Sequence, residues 1–243
     1  MRDEAVETGQ DSLTVGELAG VMDDRAAFYR FMGQALLQEF TTEQIGQLEA
    51  LGALETDSDE AREALATIRR YLGRAGLDPR TDLAVDYARV FLSAGVYDGV
   101  TAEPYESVFT SEDHLLMQDA RDDAVRAYRR WGVDVDPALH MPEDHLGIEL
   151  NFLAVMAART ADALRAAEGA DGEGEAAHLT EARAMVDAQR DFLERHVLNW
   201  LDDLIAKVDE FAQLPFYPAL MRWARSYLVE DEALLAEVSA ALA

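Results

Sequence analysis

Apolar residues in this chain recur three and four apart in segment after segment, and no run alternates apolar with polar residues between turn signals. Spacing near 3.6 lines up such residues on one face of a helix, whereas a half-buried strand needs a period of two. The pattern therefore predicts an all-α fold of about nine or ten helices. A chain of 243 residues can bury one large core, so one helical domain over residues 13–243 is expected. Residues 1–12 are polar, acidic and aperiodic, and read as a disordered tail.

Start and stop signals divide that domain. Thr14 with Glu17, and Thr41 with Gln44, form capping boxes, while Ser58 and Asp78-Pro79 begin two further helices. The first helix is expected to reach about residue 38, with a break near Gly20. Residues 95–111 carry two glycines and a proline, but also Tyr97, Tyr105, Val108 and Phe109, so they read as a packed loop. Ser111 is expected to cap a helix running to about residue 130. Residues 166–177, rich in Gly and acid, read as a flexible connection that leaves both a monomer and a swapped homodimer open. A long helix over 179–205, a short one over 207–214, and two more over 217–227 and 234–242 complete the expectation.

Residues 141–158, M-P-E-D-H-L-G-I-E-L-N-F-L-A-V-M-A-A, announce a helix and then break its pattern. Pro142, Glu143 and Asp144 suit a helix start, and Leu146, Leu150, Leu153 and Ala157 share one face. His145 and Glu149 fall inside that apolar face, one turn apart. Burying either without a partner costs several kcal/mol, so something must satisfy them. Two readings are open: an internal pair or loop contact that pins the core, or a site on the first turn where Asp144 and His145 face a groove.

Composition removes several function classes. A net charge of −27 argues against nucleic acid and anionic membranes as partners, since phosphate binding needs clustered Lys and Arg. The absence of cysteine excludes disulfides, thiol nucleophiles and Cys-ligated zinc or iron-sulfur clusters. There is no signal-peptide pattern and no apolar run long enough to span a bilayer, which predicts a cytoplasmic protein without stable membrane insertion. No phosphate loop, G-x-S-x-G or H-E-x-x-H occurs, so no catalytic residue or cofactor is assigned and the chain is not expected to be an enzyme.

Three ordered motifs carry a resemblance: D-Y-A-R-V-F-L-S-A-G at residues 86–95, E-P-Y-E-S-V-F at 103–109, and P-E-D-H-L-G-I-E-L-N-F-L-A at 142–154. Weaker likeness continues through F-L-E-R-H-V-L-N-W at 192–200 and F-Y-P-A-L at 216–220. In this the chain resembles the TorD/DmsD family of redox-enzyme maturation chaperones, with NarJ a more distant relative. The resemblance implies an all-helical cytoplasmic chaperone that binds the twin-arginine signal peptide of a molybdenum oxidoreductase and holds its apo form back from export until cofactor insertion. It also implies that Asp144 and His145 contribute to peptide binding and that Pro104, Glu106 and Ser107 line the same groove.

The physical reading adds Glu103, with Asp144 and Glu106, as carboxylates at the rim of an apolar groove that would accept paired guanidinium groups. Tyr97, Tyr105 and Trp131 are candidates for its wall, each also explicable as ordinary packing, and Glu149 is counted with them among the peptide-binding residues. Changing Asp144 and His145 to Ala is expected to weaken leader binding and leave the melting temperature nearly intact. Two alternatives remain: a metal- or nucleotide-dependent enzyme using His145 and Glu149, with His140 or Glu106 completing a ligand set, and an assembly factor that ignores the leader.

Overall fold

The computed structural model describes residues 14–50, 56, 58–76, 78–95 and 100–243, which leaves the expected acidic tail and Tyr97 outside the described residues. Those residues form ten α-helices: α1 (Val15–Leu37), α2 (Thr42–Ala50), α3 (Asp59–Leu72), α4 (Pro79–Phe91), α5 (Glu106–Thr110), α6 (Asp119–Arg130), α7 (Leu146–Glu168), α8 (Glu173–Phe192), α9 (Leu201–Phe211) and α10 (Phe216–Ala241). A short 3-10 turn (Pro137–Leu139) precedes α7, and a π-helical stretch (Leu193–Leu198) follows α8. No strand occurs among the described residues, so the fold is all-α. No helix there is long and apolar enough to cross a membrane.

Several boundaries follow their signals. The Thr14–Glu17 box closes in both directions at α1, with Glu17 N–H donating to Thr14 Oγ1 at 3.2 Å and Thr14 N–H to Glu17 Oε2 at 2.7 Å. Thr41 and Gln44 make the same exchange before α2, and Ser58 and Asp78 cap α3 and α4 through side-chain acceptors.

Others are corrected. α1 runs through Gly20 without a break, because its buried face continues from Leu18 through Met22 to Leu36. Residues 112–118 stay outside the helix expected from Ser111, and α6 starts at Asp119. The connection read over 166–177 shrinks to residues 169–172, since α7 continues to Glu168 with Ala163, Leu164 and Ala167 buried. The long helix expected over 179–205 begins at Glu173 and is interrupted by the π-helical stretch, and the two helices expected near the C-terminus are the single α10.

The core is built on α7. α1 packs along it, and the two backbones meet at Gly33 and Gly147, where a Cβ on Gly33 would lie 2.8 Å from the Gly147 carbonyl oxygen. Glycine at both positions lets the two backbones meet at a distance no side chain permits. α8 covers another side of α7, and α10 packs against α3 and α8. Between these helices Arg25 is 2 % exposed and forms a two-pronged ion pair with Asp231, at 2.5 and 2.9 Å, while Tyr29 also donates to Asp231 and Arg25 donates to Gln189 at 2.7 Å. Gln189 in turn donates to Thr160 of α7. Every charge in this network is paired, which is the condition for burying it.

Candidate functional site

Two segments cross at the start of α7. Residues 103–107 enter α5 and residues 143–147 enter α7, and they meet in one antiparallel bridge between Tyr105 and His145. Glu106 N–H donates to the Asp144 carbonyl at 2.9 Å, and Leu146 N–H to the Pro104 carbonyl at 2.8 Å. Helix does not begin at Pro142 as the sequence predicts, because residues 144–146 commit their backbone groups to this bridge. α7 begins at Leu146, and His145 is its N-cap: Nδ1 accepts the Gly147 N–H at 3.0 Å. Because Nδ1 accepts, the ring proton sits on Nε2. Burial pulls the His145 pKa down to about 3, so the imidazole is neutral under ordinary conditions.

Asp144 is fully buried, and its Oδ2 accepts the Ser107 N–H at 2.9 Å in the first turn of α5. Ser107 is buried as well, and its Oγ accepts the Gln118 N–H at 3.2 Å. A chain of contacts therefore runs from Asp144 through Ser107 to the end of the 111–118 loop. That loop is otherwise held by His114, whose Nδ1 lies 2.7 Å from the Val108 carbonyl, and by Leu115 N–H donating to Ser111. On the other side, Glu143 makes a two-pronged ion pair with Arg121 of α6, at 2.6 and 2.9 Å, and its carbonyl accepts from Tyr128.

Behind the bridge lies a buried polar cluster. Glu106 Oε2 is 2.9 Å from His196 Nδ1, which the π-helical stretch turns inward, and the imidazole stacks on Phe192 at 4.5 Å. Glu149 is fully buried, and no donor among the described residues reaches either of its oxygens. Its pKa is raised well above 4.5, first by burial, then by the charges of Glu106 and Asp144, and by a hydrogen bond in which the protonated carboxyl meets Glu106. Glu106, Glu149 and His196 each bring one ligand-type atom within 4.8 Å of the other two.

Two grooves flank this assembly. One, of about 710 Å³, is lined by Val100, Glu103, Val108, Asp113, Leu115 and Leu116, among others. Beside it Leu115, Leu116 and Met117 are exposed at 55 %, 38 % and 56 %, three consecutive large apolar side chains in solvent. The other, of about 730 Å³, lies between α6 and α8 and includes Trp131, Phe152, Arg126, Arg195 and, at one edge, His196.

The structure redistributes the residues singled out in the sequence. Asp144, Glu106, Ser107 and Pro104 are buried, and do not stand at the rim of a groove. Asp144 and His145 cap two helices, so replacing both with Ala removes stability as well as any contact to a ligand. Glu149 does not pair with His145, whose Nδ1 is committed to Gly147; the His-carboxylate pair present is His196 with Glu106. His140, with φ of 50°, follows the 3-10 turn and does not join Glu149. Glu103 lines the first groove, Tyr105 packs edge-on against His145 at 5.0 Å, and Trp131 lines the second groove. Sequence reading missed Asp113, Leu115 and Leu116, because D-H-L-L-M was assigned to the helix expected from Ser111. It also missed His196, although R-H-V-L-N-W was in view; a histidine between Arg195 and Val197 gives no hint of a π-turn.

Comparison with known proteins gives consistent matches. The family model described as nitrate reductase delta subunit matches residues 54–206. The "Chaperone protein TorD" of Vibrio cholerae serotype O1 is 26 % identical over 233 residues, covering 91 % of this chain and 96 % of that protein. The protein of the same name from Aliivibrio fischeri is 24 % identical over 234 residues, covering 91 % of this chain and 99 % of its own. That from Vibrio parahaemolyticus is 27 % identical over 158 residues, or 65 % and 66 % of the two chains.

Proposed function

Because the chain belongs to the TorD/NarJ-type nitrate reductase delta subunit family, we propose that it is a cytoplasmic chaperone for the apo form of a molybdenum oxidoreductase. It binds that enzyme's twin-arginine signal peptide before export. The observation that carries the peptide part is the 710 Å³ groove, which joins an apolar wall of Val100, Val108, Leu115 and Leu116 to the carboxylates of Glu103 and Asp113. A twin-arginine leader has matching chemistry: two guanidinium groups that form charge-assisted bonds with carboxylates, followed by an apolar run that leaves water on contact with such a wall.

In this reading Asp144, Ser107 and His145 are positioning residues. They fix α5 and the start of α7, and through Gln118 they anchor the loop that carries Leu115 and Leu116. The net charge of −27 speeds the approach of a cationic leader over the roughly 8 Å that charge reaches in physiological salt.

The test is co-purification of the chain with a molybdenum oxidoreductase precursor from its own organism, expressed with and without its leader. Recovery that depends on the leader supports the proposal. Equal recovery of both forms would replace it with the leader-independent assembly factor.

A further inference from the structure

The buried cluster behind the bridge is more polar than capping requires. Glu106, Glu149 and His196 converge from three different elements, the first turn of α5, the first turn of α7 and the π-helical stretch after α8. No group among the described residues donates to either oxygen of Glu149 or to Oδ1 of Asp144, and the Glu149–Glu106 contact is satisfied only while the two carboxyls share a proton. Native proteins satisfy most such atoms, and an orphaned set at one point calls for a partner.

We propose that Glu106, Glu149 and His196 form a binding site for one first-row divalent metal ion of the zinc class. One imidazole and two carboxylates are a donor set used for such ions, and three protein ligands leave a position open for water or an incoming group. The ligand atoms lie within 4.8 Å of one another. A tetrahedral ion with bonds near 2.0–2.2 Å needs them about 3.3–3.6 Å apart, so binding draws the three side chains together. Entry is from the 730 Å³ groove, whose lining includes His196. A π-turn inserted where a histidine must point inward is a recurrent feature of functional sites. The ion would tie α5, α7 and the end of α8 together directly beneath the segment that holds the 111–118 loop. The inference does not depend on leader binding and is tested without any peptide.

The experiment uses the full, untagged chain, stripped with chelator and titrated with zinc chloride by calorimetry. The expected result is one saturable equivalent per chain. Glu149→Gln and His196→Gln should each weaken it at least tenfold, in keeping with losses of 10–100-fold for lesser changes around metal sites. His178→Ala, which removes an exposed histidine near Glu181, should leave it unchanged. Circular dichroism shows whether each variant is folded. Should either cluster variant fail to fold, X-ray absorption on the zinc-loaded wild type decides: one imidazole with oxygen donors supports the site, and two or more imidazoles or oxygen alone overturns it. Absence of a stoichiometric equivalent, or equal binding by folded Glu149→Gln and His196→Gln, also overturns it.

Discussion

Replacing Glu149 with Gln should change how stability depends on pH, in a direction set first by burial and then by the neighbouring carboxylates Glu106 and Asp144. Glu149 has no exposed surface, and its pKa is raised well above 4.5. In the unfolded chain it ionises near 4.5; in the folded chain it keeps its proton. Above pH 4.5 the folded state therefore binds more protons than the unfolded state, and stability falls as pH rises, by about 1.4 kcal/mol per pH unit until the folded pKa is reached. The window in which this loss is felt opens near pH 4.5 and closes at the raised folded pKa. Gln is nearly isosteric with the protonated carboxyl, donates to Glu106 in its place, and does not titrate. The melting temperature of Glu149→Gln relative to wild type should rise as pH rises above 4.5, by about 3–6 °C per pH unit at about 2–4 °C per kcal/mol for a chain of this size, until the folded pKa is reached. Thermal melts in chelator, at half-unit pH intervals, measure it. A difference between the two proteins that stays constant within about 1 °C would show that Glu149 is ionised in the folded state, and would refute the account of the cluster.

His145 has the opposite sign. Its folded pKa, about 3, lies below the ordinary 6.5, so its contribution is present above pH 6.5 and is lost as pH falls, by about 2 kcal/mol at pH 5; His145→Asn keeps an N-cap acceptor and should be flatter over that range in acid melts. Asp144→Ala strands the buried Ser107 N–H and should cost about 1.5–3 kcal/mol in urea unfolding, with a parallel loss of leader affinity as the 111–118 loop loses its anchor. Arg25→Ala leaves Asp231 buried without its cation and should cost about 3–5 kcal/mol, partly recovered when Asp231 is also replaced, which a double-mutant cycle of urea melts resolves.

The helical class, the capping boxes of α1 and α2 and the starts of α3 and α4 were legible because each is written in a few adjacent residues. What the sequence could not express were the distant decisions. Pro142, Glu143 and Asp144 form a good local helix start, yet the bridge between Tyr105 and His145 claims that backbone and moves the start to Leu146. Residues 166–177 read as a linker by composition, but burial of Ala167 on one side and helix from Glu173 on the other leave only four residues to turn. The motif residues Asp144, His145, Glu106 and Ser107 were found, but not their burial. Helical periodicity places a residue on a face of its own helix, and here the relevant surface is a second segment some forty positions earlier. His196 reaches Glu106 across 90 residues, only because the helix locally changes its winding.

The most direct measurement of the central claim is the affinity of a synthetic twin-arginine leader for the wild type and for Glu103→Gln/Asp113→Asn, by fluorescence anisotropy at fixed ionic strength. Both substitutions lie on the groove wall and outside the buried cluster, so folding and melting temperature should be unchanged. The account predicts at least tenfold weaker binding, about 1.4 kcal/mol for two lost charge-assisted contacts, and a similar loss when Leu115 and Leu116 are changed to Ser. Unchanged affinity in both variants, with the leader still bound tightly by wild type, would contradict it and place the peptide elsewhere on the chain.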